Sequence, residues 1–393
     1  MKFLNICVVS LGLAGVLTSC AHQPTYIGGT GDLGLIVERA QGRIAVLKTS
    51  DPQLLGFVPG FGDLSHASAV YSRDGRYAFV FGRDGGLTKV DLLEQKIVKR
   101  VLQAGNSIGG AISQDGQLVA VSNYEPGGVK VFSTDALELI ADLPAKTDDG
   151  RYSKVVGLVD APGQMFVFSL FEAGETWVAD LTDRKNIKVE KLKAGREPYD
   201  ALITGDGRYY IAGLFGEDGL ALLDLWHPEK GMTKVLSGYG KGKQKLPVYK
   251  MPHLEGWAAA GDYFFLPAIG AKEVLVMNKN TWSIHTRIPL IGQPVFAMAS
   301  PDGRQVWVNF AFPDNENLQV VDVKTLKVVK HLKPGKGVLH MEFTPRGDQL
   351  WLSVRDEDRV EVWDPTRFIK LKEMTVQKPS GIFMSSRAHR IGL

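Results

Sequence analysis

Short apolar runs recur along the chain, and each follows a turn that carries a glycine. Segments such as SRDGRYAFV, SQDGQLVAV and SPDGRQVWV place an aspartate directly before that glycine. The run after the turn is rich in Val, Tyr, Phe and Trp, which are enriched in β-strands. The turn glycines lie 41 to 54 residues apart, and they are Gly75, Gly116, Gly163, Gly207, Gly261, Gly303 and Gly347. Such a period indicates a repeat architecture built from one supersecondary unit.

Each repeat contains four strand-like segments. After the first apolar run come a second turn, an alternating segment such as LTKVD or VEVWD, and a further segment such as KIVKRV. Four strands within about 40–50 residues are typical of one β-propeller blade. No segment keeps the helical period over a useful length. We therefore predict an all-β chain that forms an eight-bladed β-propeller over residues 32–393.

The two ends of the chain are expected to close the ring. Seven repeats are complete, and the stretch LGLIVERAQGRIAVLKTSDPQLLGFVP resembles three strands of an eighth. The C-terminal stretch PSGIFMSSRAHRIGL offers a candidate fourth strand for that blade. Because an open ring leaves an unpaired sheet edge, we expect N- and C-terminal strands to pair.

The N-terminus resembles an export signal. Lys2 precedes an apolar run over residues 3–17, which is too short for a membrane-spanning helix and is typical of a signal peptide. The run ends in LTSC, which resembles the bacterial lipobox, so residues 1–19 are expected to be a lipoprotein signal peptide. Residues 20–31 would then be the lipidated Cys20 and a tether. The alternative is a plain secretory signal with a chance cysteine.

The expected location follows from that signal. A lipidated Cys20 predicts a periplasmic protein that touches the membrane only through its lipid anchor. Ala21 is not the aspartate of an inner-membrane retention signal, which favours the outer membrane.

The net charge and the cysteine content exclude some classes of partner and cofactor. The chain has 46 basic and 43 acidic residues, a net charge of +3, which does not indicate a nucleic-acid partner. Its two cysteines are Cys7 in the signal and Cys20. Disulfides, thiol catalysis and Cys-ligated zinc are therefore excluded for a monomer, and the lack of C-x-x-C-H excludes a covalent c-type haem.

One short motif matches a nucleotide-binding fingerprint. The segment GTGDLG at residues 29–34 fits G-x-G-x-x-G. A dinucleotide site needs a buried strand before this motif and a helix after it. Here the tether precedes it, and LIVERAQGRIAVL after it predicts a hairpin. The context favours a tether.

A propeller builds its ligand site from loops at one end of the central channel, so functional residues should recur at equivalent positions in different blades. Imidazole or aromatic side chains recur before the first strand of several blades, at His66, Tyr199, His253, Phe296 and His340. Separate blades also carry Arg39, Arg83 and Arg196. Guanidinium groups pair with carboxylates, so such a set suits a ligand with several carboxylates. For each residue the alternative is a solvated loop position.

Other charged residues have plainer explanations. Arg76, Arg208 and Arg304 follow turn glycines, and we expect them to be solvated turn residues. Asp148 and Asp149 in TDDGRYSKVVG are paired carboxylates that suit acid–base chemistry if one of them is desolvated. Their alternative is a hydrated turn.

The run LSHASAVYSRDGRYAFVFGRDG resembles the haem-ligand segment of the haem-d1 domain of the nitrite reductase of denitrifying bacteria. The similarity continues through SNYEPGGVKVF, YDALITGDGRYYIAG, KMPHLEGWAAAG and KPSGIF, and so spans nearly the whole mature chain. The chain is most similar to the exported accessory members of this family, which serve haem d1 biosynthesis and lack the cytochrome c domain.

The resemblance implies residue roles. His66 corresponds to the axial ligand of the haem iron, and Arg83 and Arg39 correspond to arginines that hold the carboxylates of the macrocycle. His253 corresponds to one of two distal histidines. Tyr199 stands where the other distal histidine is found, and a phenol with a pKa of about 10 is a poor proton source near neutral pH. Autonomous nitrite reduction is therefore not expected.

The expected function is non-covalent binding of haem d1 or a late precursor, at a late step of haem d1 biosynthesis. That step is side-chain tailoring, such as a dehydrogenation, or delivery to nitrite reductase. In a catalytic role the proton donors or acceptors would be Tyr199, His253, Asp148 and Asp149. Further binding residues would be Arg196 and His340, and Asp63 would accept a hydrogen bond from the second ring nitrogen of His66.

The sequence alone leaves open which proteins this chain contacts and whether it binds a cofactor. Contacts with nitrite reductase or other maturation proteins, and a homodimer, are expected by family analogy alone. The alternative function is a cofactor-free protein-interaction propeller, also a lipoprotein, because a repeat architecture does not by itself select a function.

Overall fold

The computed structural model describes residues 28–147, 149–237, 256–268 and 270–392. These residues form strands joined by short turns, with no α-helix among them. In chain order the strands are β1 (Leu33–Glu38), β2 (Arg43–Lys48), β3 (Gln53–Pro59), β4 (Ser68–Tyr71), β5 (Tyr77–Phe81), β6 (Gly86–Asp91), β7 (Lys96–Leu102), β8 (Asn106–Ile112), β9 (Leu118–Glu125), β10 (Gly128–Ser133), β11 (Leu139–Leu143), β12 (Val155–Ala161), β13 (Met165–Leu170), β14 (Glu175–Asp180), β15 (Lys188–Lys193), β16 (Pro198–Ile203), β17 (Tyr209–Leu214), β18 (Leu220–Asp224), β19 (Thr233–Val235), β20 (Ala258–Ala260), β21 (Tyr263–Ala268), β22 (Glu273–Asn278), β23 (Ile284–Pro289), β24 (Pro294–Ala299), β25 (Gln305–Phe310), β26 (Leu318–Asp322), β27 (Lys327–Leu332), β28 (Val338–Phe343), β29 (Leu350–Val354), β30 (Arg359–Asp364), β31 (Ile369–Thr375) and β32 (Pro379–Met384). Short 3-10 helices occupy Thr30–Asp32, Pro228–Lys230, Arg355–Glu357 and Ser385–His389.

The strands form eight antiparallel sheets of four strands each, which confirms the predicted eight-bladed propeller. Blade 1 has the order β3-β2-β1-β32, and blades 2 to 8 each use four consecutive strands from β4 onward. In blade 1 the C-terminal β32 pairs with the N-terminal β1, with Leu35 opposite Phe383 and Ile36 opposite Ile382. The predicted closure of the ring by strands from both ends is therefore confirmed.

The turn glycines explain how the repeat is encoded. All seven predicted turn glycines have positive φ, between 54° and 78°, where a side chain is strained. The residues before the glycine complete the turn: the hydroxyl of Ser300 donates to the Asp302 carboxylate at 2.6 Å, and the Arg304 amide donates to the same oxygen at 3.1 Å. This side-chain turn ends the first strand and starts the second in one short loop.

The hydrophobic core lies between neighbouring blades. Trp307 of blade 7 and Trp351 of blade 8 are fully buried, and Trp307 packs edge-on against Phe343 with ring centroids 6.3 Å apart. Second strands such as β1 are buried along their whole length, whereas the outermost β31 is largely exposed. The first strand of each blade therefore faces the central channel. We call the end of the ring where these strands begin the rim, and the end where they finish the floor.

The C-terminal tail, residues 385–392, packs across the floor. Its Arg387 forms a bidentate ion pair with Glu342 of blade 8, with oxygen contacts of 2.5 and 3.0 Å. Arg73 of blade 2 donates to the carbonyl of Ala388. On the far side of the ring, the amide of Gly392 donates to Asp160 of blade 4 at 2.9 Å. The tail thereby joins three blades and covers this end of the channel.

The segment at residues 29–34 does not form a dinucleotide site. A single 3-10 turn, Thr30–Asp32, leads directly into β1, and β1 forms a hairpin with β2. The helix that a pyrophosphate site requires does not follow. No helix within the described ranges is long and apolar enough to cross a membrane.

Candidate functional site

A cavity of about 270 Å³ lies inside the ring and is lined mainly by first strands and the loops that precede them, with Tyr124 and Arg39 at the ends of second strands. Small residues of blades 2 and 3, among them Ala67 and Gly109, line one side of it, and Phe296 and Leu339 line the other. A Cβ built on Gly109 would meet only the Ser68 hydroxyl, at 3.2 Å. The small residues therefore leave room that longer side chains would fill.

His66 lines this cavity on the loop before β4 and is exposed. The side chain of Asp63 accepts the amide of Ser65 at 2.8 Å, and the Asp63 carbonyl accepts the amide of Arg83 at 2.7 Å. These bonds fix the turn before His66 and tie it to the GRDG loop of the same blade. The loop thus presents the imidazole to the cavity, and its Asp63 is joined to the backbone of Arg83.

His340 also lines the cavity, with its ring position fixed from three sides. Its ring packs against Phe383 and Phe296, with centroids 5.4 and 6.1 Å away. The amide of Ile382 donates to Nδ1 at 3.2 Å, so the neutral ring carries its proton on Nε2. Binding a metal through Nε2 would break that arrangement, because the proton would have to move to Nδ1 against the Ile382 amide. Of the two cavity imidazoles, His66 is the better candidate metal ligand.

Two arginines near the cavity have no carboxylate partner in the described part of the chain. Arg39 lines the cavity and is half-buried. The guanidinium of Arg83 lies 5.0 Å from the ring centre of Tyr124, which also lines the cavity. An anionic ligand would supply the missing carboxylates.

The turn arginines, which the sequence predicted to be solvated, form ion pairs, and Arg76 and Arg208 are half-buried. Each of them pairs with an aspartate of its own blade, at N–O distances of 2.7, 2.7 and 3.6 Å for Arg76–Asp91, Arg208–Asp224 and Arg304–Asp302. Their charge is neutralised locally, and none of them lines the cavity.

Tyr199 reaches the cavity through another tyrosine. Its hydroxyl is 2.9 Å from the hydroxyl of Tyr124, and its ring packs between Phe171 and Phe215, with centroids 5.7 and 5.9 Å away. Sequence reasoning did not single out Tyr124, although it lies in the segment SNYEPGGVKVF that carries part of the family resemblance.

Two further sequence candidates, Arg196 and Asp149, lie apart from the cavity lining. Arg196 is exposed, and its amide donates to Glu217 at 2.8 Å. Asp149 is exposed and pairs with Arg151 at 2.6 Å. Hydrogen bonds from Arg151 and Thr147 hold the pKa of Asp149 well below its usual range, so this carboxylate stays ionised near neutral pH. Three further candidates lie outside the described residues, namely Cys20, Asp148 and His253.

Arg387 of the tail lines the floor side of the cavity and was missed by sequence reasoning. Its side chain is 4% exposed and that of its partner Glu342 is 3% exposed, so both charges are satisfied within the protein. The tail sequence had suggested only a strand. Within the described ranges, no group of three or more His, Cys, Asp or Glu side chains is arranged to hold a metal ion.

Comparison with known proteins identifies the family. Residues 28–388 match the family described as Cytochrome D1 heme domain. The chain is 58% identical to Protein NirF of Stutzerimonas stutzeri over 386 residues, 98% of each chain. It is also 58% identical to Protein NirF of Pseudomonas aeruginosa over 384 residues, 97% of this chain and 98% of the relative.

A solved structure has the same fold. The dihydro-heme d1 dehydrogenase NirN, in complex with DHE, superimposes with a TM-score of 0.81 at 25% identity, over 95% of this chain and 79% of that one. The chain therefore belongs to the cytochrome d1 haem-domain family and, within it, to the NirF proteins.

Proposed function

We propose that this protein binds haem d1 or a late precursor non-covalently in the channel cavity, and that it serves a late step of haem d1 biosynthesis. The observation that carries the proposal is His66 in a cavity whose neighbouring Arg39 and Arg83 have no carboxylate partner in the described residues. Membership of the NirF proteins and the likeness to NirN, solved with DHE, support it.

The residues present fit an acidic tetrapyrrole. His66 offers an imidazole for the iron, and Arg39 and Arg83 offer guanidinium groups for the acidic side chains. Phe296 and Leu339 supply an apolar wall, and Gly109 leaves space opposite. The tetrapyrrole supplies an iron centre and an oxidisable ring. The protein binds and orients it, and the Ile382 amide, which donates to Nδ1 of His340, leaves Nε2 of that ring as the nitrogen that faces the ligand with a proton when the ring is neutral.

The same site suits either side-chain tailoring or delivery to nitrite reductase. Asp149 is unsuited to donate a proton near neutral pH, because its ion pair with Arg151 keeps it ionised. Incubating the purified protein with a late precursor and an electron acceptor distinguishes the two roles. A new tetrapyrrole in the chromatogram indicates a dehydrogenase-like enzyme, and unchanged precursor indicates a carrier.

Titration with haem d1 tests the binding proposal directly. Wild type is expected to change the absorbance spectrum of haem d1, and His66→Ala is expected to lose the part of that change due to axial ligation, with added imidazole restoring it. His285→Ala is the matched control, because His285 is an exposed histidine on the outermost strand of blade 6. An unchanged spectrum with His66→Ala removes His66 as the ligand. No spectral change with wild type favours the cofactor-free interaction propeller.

The proposal includes a periplasmic lipoprotein held by Cys20. The lipobox-like LTSC in the sequence supports this part of it. Fractionation tests it: wild type is expected in the membrane fraction, and Cys20→Ser in the soluble periplasmic fraction or as an uncleaved precursor. Equal distribution of both proteins, with the signal cleaved from both, would exclude lipidation at Cys20.

A further inference from the structure

The position of Arg83 is fixed by hydrogen bonds of its backbone, and its side chain forms no ion pair within the described residues. Its amide donates to the Asp63 carbonyl at 2.7 Å, and its carbonyl accepts the Ser107 amide at 3.3 Å. The guanidinium then lies over the ring of Tyr124, 5.0 Å from the ring centre. A cation over an aromatic face is attracted by the ring quadrupole while its N–H donors keep their hydrogen-bonding capacity. The stacking therefore directs the Arg83 side chain without using the donors that a carboxylate needs.

A second cation near the same ring is already neutralised. The ammonium of Lys154 lies 5.9 Å from the centre of the Tyr124 ring, but it forms an ion pair with Glu172 at 2.7 Å. Of these two cations, only Arg83 brings an uncompensated charge to Tyr124. The Tyr124 ring therefore contacts the guanidinium with which a ligand carboxylate would pair.

The ring of Tyr124 is itself held at its other end. Its hydroxyl lies 2.9 Å from that of Tyr199. Tyr199 forms a three-ring cluster with Phe171 of blade 4 and Phe215 of blade 5, whose centroids are themselves 6.0 Å apart. A continuous chain of contacts therefore runs from this aromatic cluster through Tyr199 and Tyr124 to Arg83, and crosses from blade 5 to blade 2.

We propose that Tyr124 is a positioning residue that holds the Arg83 guanidinium for a carboxylate of the bound tetrapyrrole and links that contact to the orientation of the Tyr199 hydroxyl. This inference rests on the proposed function, because it concerns the same ligand. Tyr124 joins the two groups, because its ring contacts the Arg83 guanidinium and its hydroxyl shares a hydrogen bond with the Tyr199 hydroxyl, in which either oxygen can be the donor. Tyr124 is in this way the specificity element for an acidic substituent on the side of the cavity formed by blades 2 and 3.

Haem d1 titrations of variants test the positioning role. Arg83→Gln is expected to weaken binding by roughly 10- to 100-fold, as for loss of a charge-assisted hydrogen bond. Tyr124→Leu is expected to weaken it by roughly 3- to 30-fold through loss of the cation–π contact. The double variant should bind no more weakly than Arg83→Gln alone, because both changes remove the same interaction. With haem d1 whose carboxylates are methyl-esterified, Tyr124→Leu should have no effect.

The link to Tyr199 has its own test. In wild type the effects of Arg83→Gln and Tyr199→Phe on affinity are expected to be non-additive, and in a Tyr124→Phe background, which keeps the ring and lacks the hydroxyl, they should become additive. Melting temperatures and circular dichroism check that each variant is folded.

Three results would overturn the inference: unchanged affinity for a folded Tyr124→Leu, fully multiplicative losses for Tyr124→Leu and Arg83→Gln, or the same loss with the esterified ligand. Any of them, with wild type still binding haem d1, refutes the role of Tyr124 and leaves the proposed function standing. Absence of binding by wild type refutes both.

Discussion

At the scale of single residues, Arg39 at the cavity differs from arginines that pair with a carboxylate of the protein. Arg208 pairs with Asp224, and Arg387, which also lines the cavity, pairs with Glu342. Arg39, half-buried at the cavity, pairs with no carboxylate in the described ranges. Such a group gains more from a ligand carboxylate than a fully solvated cation does, because the site around it is partly shielded from water.

Replacing Arg39 tests this contrast. Arg39→Gln is expected to weaken haem d1 binding by about tenfold, since a hydrogen bond to a charged group contributes about 1.5–3 kcal/mol and a glutamine amide keeps part of it. The salt dependence of the affinity should also decrease, because one cation no longer attracts the ligand. Isothermal titration at low and high ionic strength measures both effects. Arg304→Gln, a solvated turn arginine, is the control, and an equal effect of both variants would contradict a specific role for Arg39.

At the scale of elements, the repeat and the closing strand were predictable, and the contacts of the tail were not. Turn glycines such as Gly75 and Gly303 have a left-handed backbone, so their spacing marks seven of the eight blades in the sequence. The same spacing pointed to His66 and His340, and both line the cavity, although His340 lies within β28 and only His66 precedes its strand, β4. Tyr124 lies at the end of a second strand, where no equivalent position pointed to it. The tail has no repeat at all, so its contacts follow only from the folded ring.

Strand β8 makes room for the ligand, which gives an element-scale prediction. Gly109→Val is expected to weaken haem d1 binding at least tenfold while leaving the melting temperature within a few degrees. The reason is that its Cβ meets only the Ser68 hydroxyl, so the added side chain fills cavity space rather than the core. Valine also suits a strand. Titration with haem d1 measures the affinity, and thermal denaturation measures the melting temperature.

The matched control for that prediction is Gly105→Val. Gly105 lies at the rim end of the same blade, where a Cβ meets only the Glu125 carbonyl at 3.8 Å, and it does not line the cavity. Gly105→Val should bind haem d1 as wild type does. Tight binding by Gly109→Val would show that the ligand does not occupy the space beside β8.

At the scale of the whole molecule, closure depends on both the β1–β32 pair and the tail across the floor. The tail ends at Asp160, which accepts the Gly392 amide and a hydrogen bond from Gln114. Burial raises the pKa of Asp160 to about 6, partly offset by these hydrogen bonds and by the nearby Arg73. Closing the floor therefore buries a carboxyl group that is more easily protonated in the folded protein than in the unfolded chain.

The pH dependence of stability follows from that shift. Below the unfolded pKa of 3.8 the group is protonated in both states and folding incurs no charge-burial cost. As the pH rises through 6 the folded protein must bury a charge, so this stability contribution is lost, by about 3 kcal/mol in total for a shift of this size. Asp160→Asn lacks the titration. Its free energy of unfolding relative to wild type should therefore rise by most of that amount between pH 4 and pH 7, as measured by denaturant unfolding.

Asp302→Asn is the control, because its free energy of unfolding relative to wild type should change with pH in the opposite direction. The Ser300 hydroxyl lowers the pKa of Asp302, so its carboxylate adds stability that is present above the unfolded pKa and lost as the pH falls. Relative to wild type, Asp302→Asn should therefore become less stable, not more, as the pH rises. All other ionisable groups are common to variant and wild type and cancel in each difference. Parallel pH profiles for wild type and Asp160→Asn would mean that Asp160 stays solvated, and hence that the tail does not seal the floor of the channel in solution.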